Sequence, residues 1–303
     1  MKVLLESVEQ VEELLVAHGY IAERSLCTAV FLALRLERPL FLEGEAGVGK
    51  TEIAKTLADA LSRPLLRLQC YEGIDRQTAL YDWNYARQLL HIRLREAGKG
   101  DHEDESWEER VEKEVYSERF LLRRPLLQAI STTPAPVLLI DEVDRSDVEF
   151  EAFLLELLAE FQVTIPELGT IHATEKPLVI LTSNRTREMH DALKRRCLYY
   201  WIDYPTIEKE LRIVTEHVPN LAQSLTRSLC LFIQRLREEP LYKVPGLAET
   251  IYFAQALEAL HVRVLDEAVL CDTIGCLLKY RDDLELLTGE QGRARVAHLL
   301  AEV

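Results

Sequence analysis

Leu40-Phe-Leu-Glu-Gly44-Glu45-Ala46-Gly47-Val48-Gly49-Lys50-Thr51 reads as a short apolar strand running straight into a phosphate-binding loop. The loop holds the full Gly-x-x-x-x-Gly-Lys-Thr pattern from Gly44 to Thr51. Its glycines let the backbone fold tightly enough for several N–H groups to converge on phosphate oxygens. Lys50 supplies a point charge for the β- and γ-phosphates, and Thr51 a hydroxyl ligand for Mg²⁺, so ATP with Mg²⁺ is the ligand the pattern calls for. Glu52 to Leu61 continues with apolar Ile53, Leu57 and Leu61 at helical spacing. The phosphates would therefore lie at a helix N-terminus, where the backbone dipole favours anions.

A second nucleotide signature follows about 90 residues later, where Val137-Leu-Leu-Ile140 ends in Asp141-Glu142. A strand that is apolar throughout is buried on both faces, so its end delivers the two acids to the carboxyl rim of the sheet. Asp141 suits a Mg²⁺ ligand, direct or through water, and Glu142 suits the group that polarises an attacking water. Leu178-Val-Ile-Leu-Thr182 is another buried strand, followed by Ser183-Asn184. Asn184 at that tip can hydrogen-bond the γ-phosphate or the water; it can also simply turn the chain.

With Pro64–Cys70 and Cys197–Ile202, five apolar runs predict an α/β fold: a three-layer αβα sandwich on a five-stranded parallel sheet, spanning residues 1–205. Helices are expected at its start, over residues 2–36. Ala79–Arg95 reads as a loop entering a helix, with Tyr81, Trp83 and Tyr85 as a cluster that either packs or binds a partner. Arg119–Ser131 reads as helical on both sides of Pro125, Asp147–Phe161 as an amphipathic helix begun by Asp147, and residues 162–172 as a projecting hairpin. His190–Arg196 is a short basic helix. From Thr206 the pattern turns wholly helical to residue 303, which predicts a separate all-α lid domain.

The bulk properties narrow the classes. The chain has 303 residues, 48% of them hydrophobic and 29% charged, with a net charge of −15. That balance argues against a nucleic-acid-binding surface. Nearly half of the charge comes from Asp101–Glu118, where nine acidic residues outnumber two basic ones; the region 96–118 reads as a solvated acidic insert. The six cysteines show neither Cys-x-x-Cys nor zinc-ligand spacing, which suits reduced thiols in a cytoplasmic protein. No secretory leader is read at the N-terminus, and no apolar run approaches a membrane span.

Taken together, the phosphate loop, the Asp-Glu strand end, the Asn-tipped strand, the basic helix ending in Arg195-Arg196 and the helical C-terminal region resemble the AAA+ ATPases. The hairpin at 162–172 and the long insert after the second strand resemble the MoxR branch. Gln69-Cys-Tyr-Glu-Gly-Ile-Asp75, Ala79-Leu-Tyr-Asp-Trp-Asn-Tyr85, Phe120-Leu-Leu-Arg-Arg-Pro-Leu-Leu127 and Leu193–Pro205 are similar to CoxD-like proteins, which help mature carbon monoxide dehydrogenase and related molybdenum hydroxylases. The resemblance implies a nucleotide cradle at Gly44–Thr51, Asp141 and Glu142 as the magnesium and water-activating pair, and Asn184 as a sensor. It implies an arginine finger at Arg196, with Arg195 as the second candidate, acting across a homo-hexameric ring. It further implies a metalloenzyme client and a partner with a von Willebrand A domain. The MoxR pattern also has an arginine early in a lid helix. Here the matching stretch is Gly246-Leu-Ala-Glu-Thr250, with an acid near that place. A nucleotide-switched assembly module with little turnover, and a DNA-dependent ATPase, are the competing readings of the same core.

Overall fold

The computed structural model describes residues 5–97, 106–288 and 290–301. The strands are β1 (Leu40–Gly44), β2 (Leu65–Gln69), β3 (Tyr81–Trp83), β4 (Leu121–Arg123), β5 (Val137–Asp141), β6 (Gln162–Ile165), β7 (Gly169–His172), β8 (Leu178–Ser183) and β9 (Leu198–Ile202). Five of them form one parallel sheet in the order β2-β5-β8-β1-β9, the α/β fold predicted by the apolar runs. Every residue of β1, β5 and β8 is buried, which is why their sequences are continuous aliphatic runs with no polar alternation. In β2, at one edge of the sheet, only Leu68 is fully buried and Arg67 reaches solvent.

The described chain forms two compact units. The first comprises residues up to Leu14, Arg24–Glu43 and Ala54–Tyr200. Its core joins sheet residues Leu68, Leu138, Ile140, Val179 and Leu181 to Leu126, Leu127 and Ile130 of the helix Pro125–Ser131 and to Phe150, Leu154 and Leu158 of the helix Val148–Glu160. Each such side chain contributes about 1.5–3 kcal/mol by leaving water. Asp147 caps the latter helix as expected, accepting the Phe150 N–H at 2.8 Å.

The second unit comprises Leu15–Glu23, Gly44–Ile53 and the chain from Trp201 onward. The phosphate-loop segment thus groups with the C-terminal helices. Those helices close on Leu225, Leu229, Phe232, Ile233, Phe253 and Leu257. One buried ion pair crosses this unit: Arg237 Nη2 lies 2.6 Å from Glu210 Oε1, with Thr250 Oγ1 donating to the same oxygen at 2.7 Å.

Some expectations are corrected. The helix expected on both sides of Pro125 begins only at Pro125. Arg124 before it is extended, as the proline ring requires, and Leu121–Arg123 is strand β4, paired antiparallel with β3. Tyr81–Trp83 is therefore strand rather than loop. Trp83 is buried with its ring 5.3 Å from Tyr116, whereas Tyr85 stays exposed. The β6–β7 hairpin is present, but it does not simply project: Val163 and Ile165 of β6 belong to the core. Within the C-terminal stretch expected to be wholly helical, the helix Glu267–Thr273 is short and tightens into a 3₁₀ turn at Ile274–Cys276. In the acidic insert, Ser106–Val115 is a helix whose Glu114 pairs with His91 and Arg95; residues 98–105 lie outside the described residues, as do Val3 and Leu4 of the first expected helix.

None of the six cysteines is in a disulfide; Cys27, Cys70, Cys197 and Cys230 are buried, and Cys271 and Cys276 are half-exposed. Burial pushes the Cys197 thiol up to about 12, and burial with the charge of Glu210 does the same for Cys230. Thiolate is the reactive form, so in the native chain a thiol reagent should modify Cys271 and Cys276 on the order of 100-fold faster than the other four. Denaturant should equalise all six, as read by mass spectrometry of the labelled peptides.

Candidate nucleotide site

In the second unit the loop is built by its glycines. Gly47 (φ +79°) and Gly49 (φ +94°) occupy the left-handed region, where a side chain would be strained. Gly44 is required by proximity instead: a Cβ there would stand 2.3 Å from the Ile202 carbonyl oxygen. Lys50 is buried, and its ammonium donates to the carbonyls of Gly44 (2.8 Å) and Glu45 (2.6 Å). A buried ammonium folded into a glycine loop at the start of the helix Lys50–Ala60 fits a polyphosphate.

The loop also touches the start of the helix Leu247–Ala259. Ala248 N–H donates to Gly47 O at 3.2 Å. The acid at that helix start, Glu249, folds back so that its Oε2 accepts the Gly246 N–H at 3.0 Å.

In the first unit the chemistry gathers at the carboxyl edge of the sheet. Glu43 is level with Ser183 and Gln69 with Asp141, so β1, β2, β5 and β8 end together. Asp141 is buried and fully engaged. Its Oδ1 accepts the Thr182 hydroxyl at 2.5 Å, and its Oδ2 accepts Arg67 Nε (3.0 Å) and Nη2 (2.5 Å). Thr182 Oγ1 in turn accepts the Glu142 N–H at 2.9 Å. Glu142 is left-handed at φ 52°, a strained position for a residue with a side chain, and its carboxylate lies 3.3 Å from Arg145 Nη1. The carboxylates of Asp141 and Glu142 are the donor type of a hard cation such as Mg²⁺, while among the described residues no group of three or more acidic, His or Cys side chains forms a ready-made metal cluster.

Asp144 fixes the next loop. It is buried and accepts Asn184 N–H (3.2 Å), Thr186 N–H (2.8 Å) and the Thr186 hydroxyl (2.7 Å). The Asn184 side-chain amide makes no bond among the described residues and is half-buried, so it is free to bind a ligand. Beyond it, Glu151 accepts the His190 N–H at 2.9 Å and pairs with Arg187, which holds the start of the helix Asp191–Arg196. Arg196 at the end of that helix is exposed, and its side chain has no partner among the described residues. It lines a cavity of about 510 Å³ with Arg76, Phe153, Glu156 and Glu160. Burial first, and then the charges of Asp141, Asp144 and Glu142, push the Cys70 thiol up to about 12.

Sequence reasoning missed three of these residues. Arg67 carried a signal: it is the lone cation in an apolar run beside the acidic strand. Asp144 and Thr182 carried none, because their partners lie about 40 residues away in the chain. Asp144→Ala leaves two backbone N–H groups unpaired and the Thr186 hydroxyl with only the residue-144 carbonyl at 3.4 Å, so it should lower stability by about 2–4 kcal/mol in denaturant titration. Asp144→Asn should cost less, because its remaining carbonyl still accepts.

Residues 39–197, more than half of the chain, match the model of the AAA domain, dynein-related subfamily. Comparison with curated proteins finds no match. Among solved structures, the chain is similar to the RuvB Holliday junction branch migration motor of Thermotoga maritima, at 15% identity and TM-score 0.45 over 88% of this chain and 68% of that one. It is similar to a point mutant of the same motor, at 14% identity and TM-score 0.49 over 95% of this chain and 72% of that one. It is also similar to a candidate ATPase from Cytophaga hutchinsonii, at 15% identity and TM-score 0.49 over 98% of this chain and 94% of that one. On this family match, which covers more than half of its length, the chain belongs to the dynein-related subfamily of AAA domains.

Proposed function

We propose that the chain is a Mg²⁺-dependent ATPase of the MoxR type that assembles into a ring, a hexamer by family analogy, and remodels or matures a metalloenzyme client. The observation that carries the hydrolytic part is the pre-shaped loop, with its two left-handed glycines and its buried Lys50 ammonium. Gly44 to Thr51 would cradle the phosphates. Thr51 and Asp141 would hold the cation; both Asp141 oxygens already accept protein hydrogen bonds, which favours a water-mediated hold. Mg²⁺, when bound with the nucleotide, supplies charge that offsets the anionic phosphates. Glu142 takes the proton of the attacking water, aimed by the strained backbone that its bond to Thr182 maintains. Asn184 offers its unpartnered amide to the γ-phosphate or that water. Arg196, unpaired and exposed, is available to the nucleotide of a neighbouring subunit.

The client class rests on the likeness of the four longer strings to CoxD-like proteins, with a molybdenum hydroxylase as the leading candidate. An acid in place of an arginine at the start of the helix Leu247–Ala259 favours one second reading. This is a nucleotide-switched module that works with a von Willebrand A domain partner at low turnover. No helix among the described residues is long and apolar enough to cross a membrane.

Glu142→Gln should lower the turnover number by about 10²- to 10⁴-fold while leaving ATP affinity within about threefold. Light scattering on that variant should show a ring with ATP, and Arg196→Ala should then lower turnover by roughly 10³-fold without weakening ATP binding. Full turnover by Glu142→Gln would remove Glu142 from the mechanism. A monomer under every condition would remove the ring and favour the partner-dependent switch.

A further inference from the structure

We propose that Glu249 is an electrostatic gate on the phosphate loop, lowering affinity for a nucleoside triphosphate relative to a diphosphate and turning the γ-phosphate into a push on the helix Leu247–Ala259. The inference rests on the nucleotide reading of the loop and concerns only residues of the second unit.

The contact is close because two glycines allow it. A Cβ on Gly246 would come within 2.8 Å of Ala46 O and 3.1 Å of Gly47 Cα. Built on Gly47, a Cβ would come within 3.1 Å of Glu249 Oε2. The Glu249 carboxylate therefore borders the space that a side chain on Gly47 would fill, held there by the Gly246 N–H at 3.0 Å. Among the described residues Glu249 makes no ion pair. Arg237 is committed to Glu210 through two hydrogen bonds, to the Pro245 carbonyl at 2.8 Å and to Thr250 at 3.3 Å. Glu45 adds a second negative charge. Burial, and then the charges of Glu45 and Glu249, raise the Tyr204 phenol, over whose ring Arg237 lies at 4.9 Å.

The turn that carries Glu249 packs on the carbonyl side of the loop, whose N–H groups face the phosphates from the other side, so a fixed carboxylate there acts through the thickness of the loop, within a screening length, and opposes a ligand in proportion to its negative charge. ATP carries the γ-phosphate charge that ADP lacks and is opposed more. Leaving the loop costs Glu249 its bond to the Gly246 N–H, and Ala248 in the same turn holds Gly47, so the repulsion loads the helix start. That start is tied through Thr250 to the buried Glu210–Arg237 pair, which gives the displacement a route into the helical unit.

Glu249→Gln separates charge from structure, because its amide oxygen can still accept the Gly246 N–H and a glutamine serves at this capping position. Titration of the full chain with fluorescent ATP and ADP analogues in Mg²⁺ should show Glu249→Gln binding the triphosphate about threefold to tenfold tighter, the size of one partly screened charge. The diphosphate should gain less, and raising the salt should shrink the difference. Glu249→Asp should restore the wild-type ratio in part. Equal changes for the two nucleotides, or none, would overturn the gate while leaving the nucleotide site standing. Wild-type binding that survives Lys50→Ala, or is absent, would reject the loop as the nucleotide site and the gate with it.

Discussion

A parallel strand covered on both faces has no place for a polar side chain except at its end, and that constraint organises the sheet unit. β1, β5 and β8 are buried at every position. Their polar residues, Glu43, Asp141, Thr182 and Ser183, all fall at the carboxyl edge and all have partners. Burying an unpaired carboxylate would cost several kcal/mol, so each acid draws a donor to itself. Arg67 comes from the sheet edge to Asp141; Tyr199 donates to Glu43 at 2.8 Å. The same bonds that satisfy the acids also fix where Glu142 and Asn184 stand. Satisfying the burial and positioning the chemistry are here one arrangement.

The second unit meets a different constraint, that of backbone against backbone. At Gly44 and Gly246 a single added carbon would collide with a carbonyl oxygen. Such contacts are short, stiff and insensitive to side-chain identity elsewhere. They leave the phosphate loop mechanically continuous with the helix that follows Gly246. The buried Glu210–Arg237–Thr250 network then holds that helix from the far side of Pro245. A buried ion pair of this kind is weak evidence for added stability; fixing one geometry is a role it can fill at a helix start that touches a ligand loop.

Much of the polar carboxyl edge was legible in the linear chain because its signals are local. Apolar runs mark strands, glycine spacing marks the loop, and an acid pair at the end of such a run marks the rim. The errors occurred where local signals conflicted. Leu121–Arg123 lies between helix-favouring neighbours, and only pairing with Tyr81–Trp83 makes it a strand. Gly275 sits inside an apolar helical pattern and lets the turn tighten. The hairpin was readable from Pro166 and Gly169, but the burial of Val163 and Ile165 was not, since alternation alone does not say which face meets a core.

By itself the sequence determined the α/β class and singled out the glycine loop with Lys50, Thr51, Asp141, Glu142 and Asn184 as candidates, because each follows from residue types within one short segment. Tertiary structure alone decided that Arg67 holds Asp141, that Asp144 holds the Asn184 loop and that Glu249 rests on Gly47. These contacts join residues far apart in the chain. Their energies depend on burial and on distances of a few ångströms, quantities that exist only once the elements have packed.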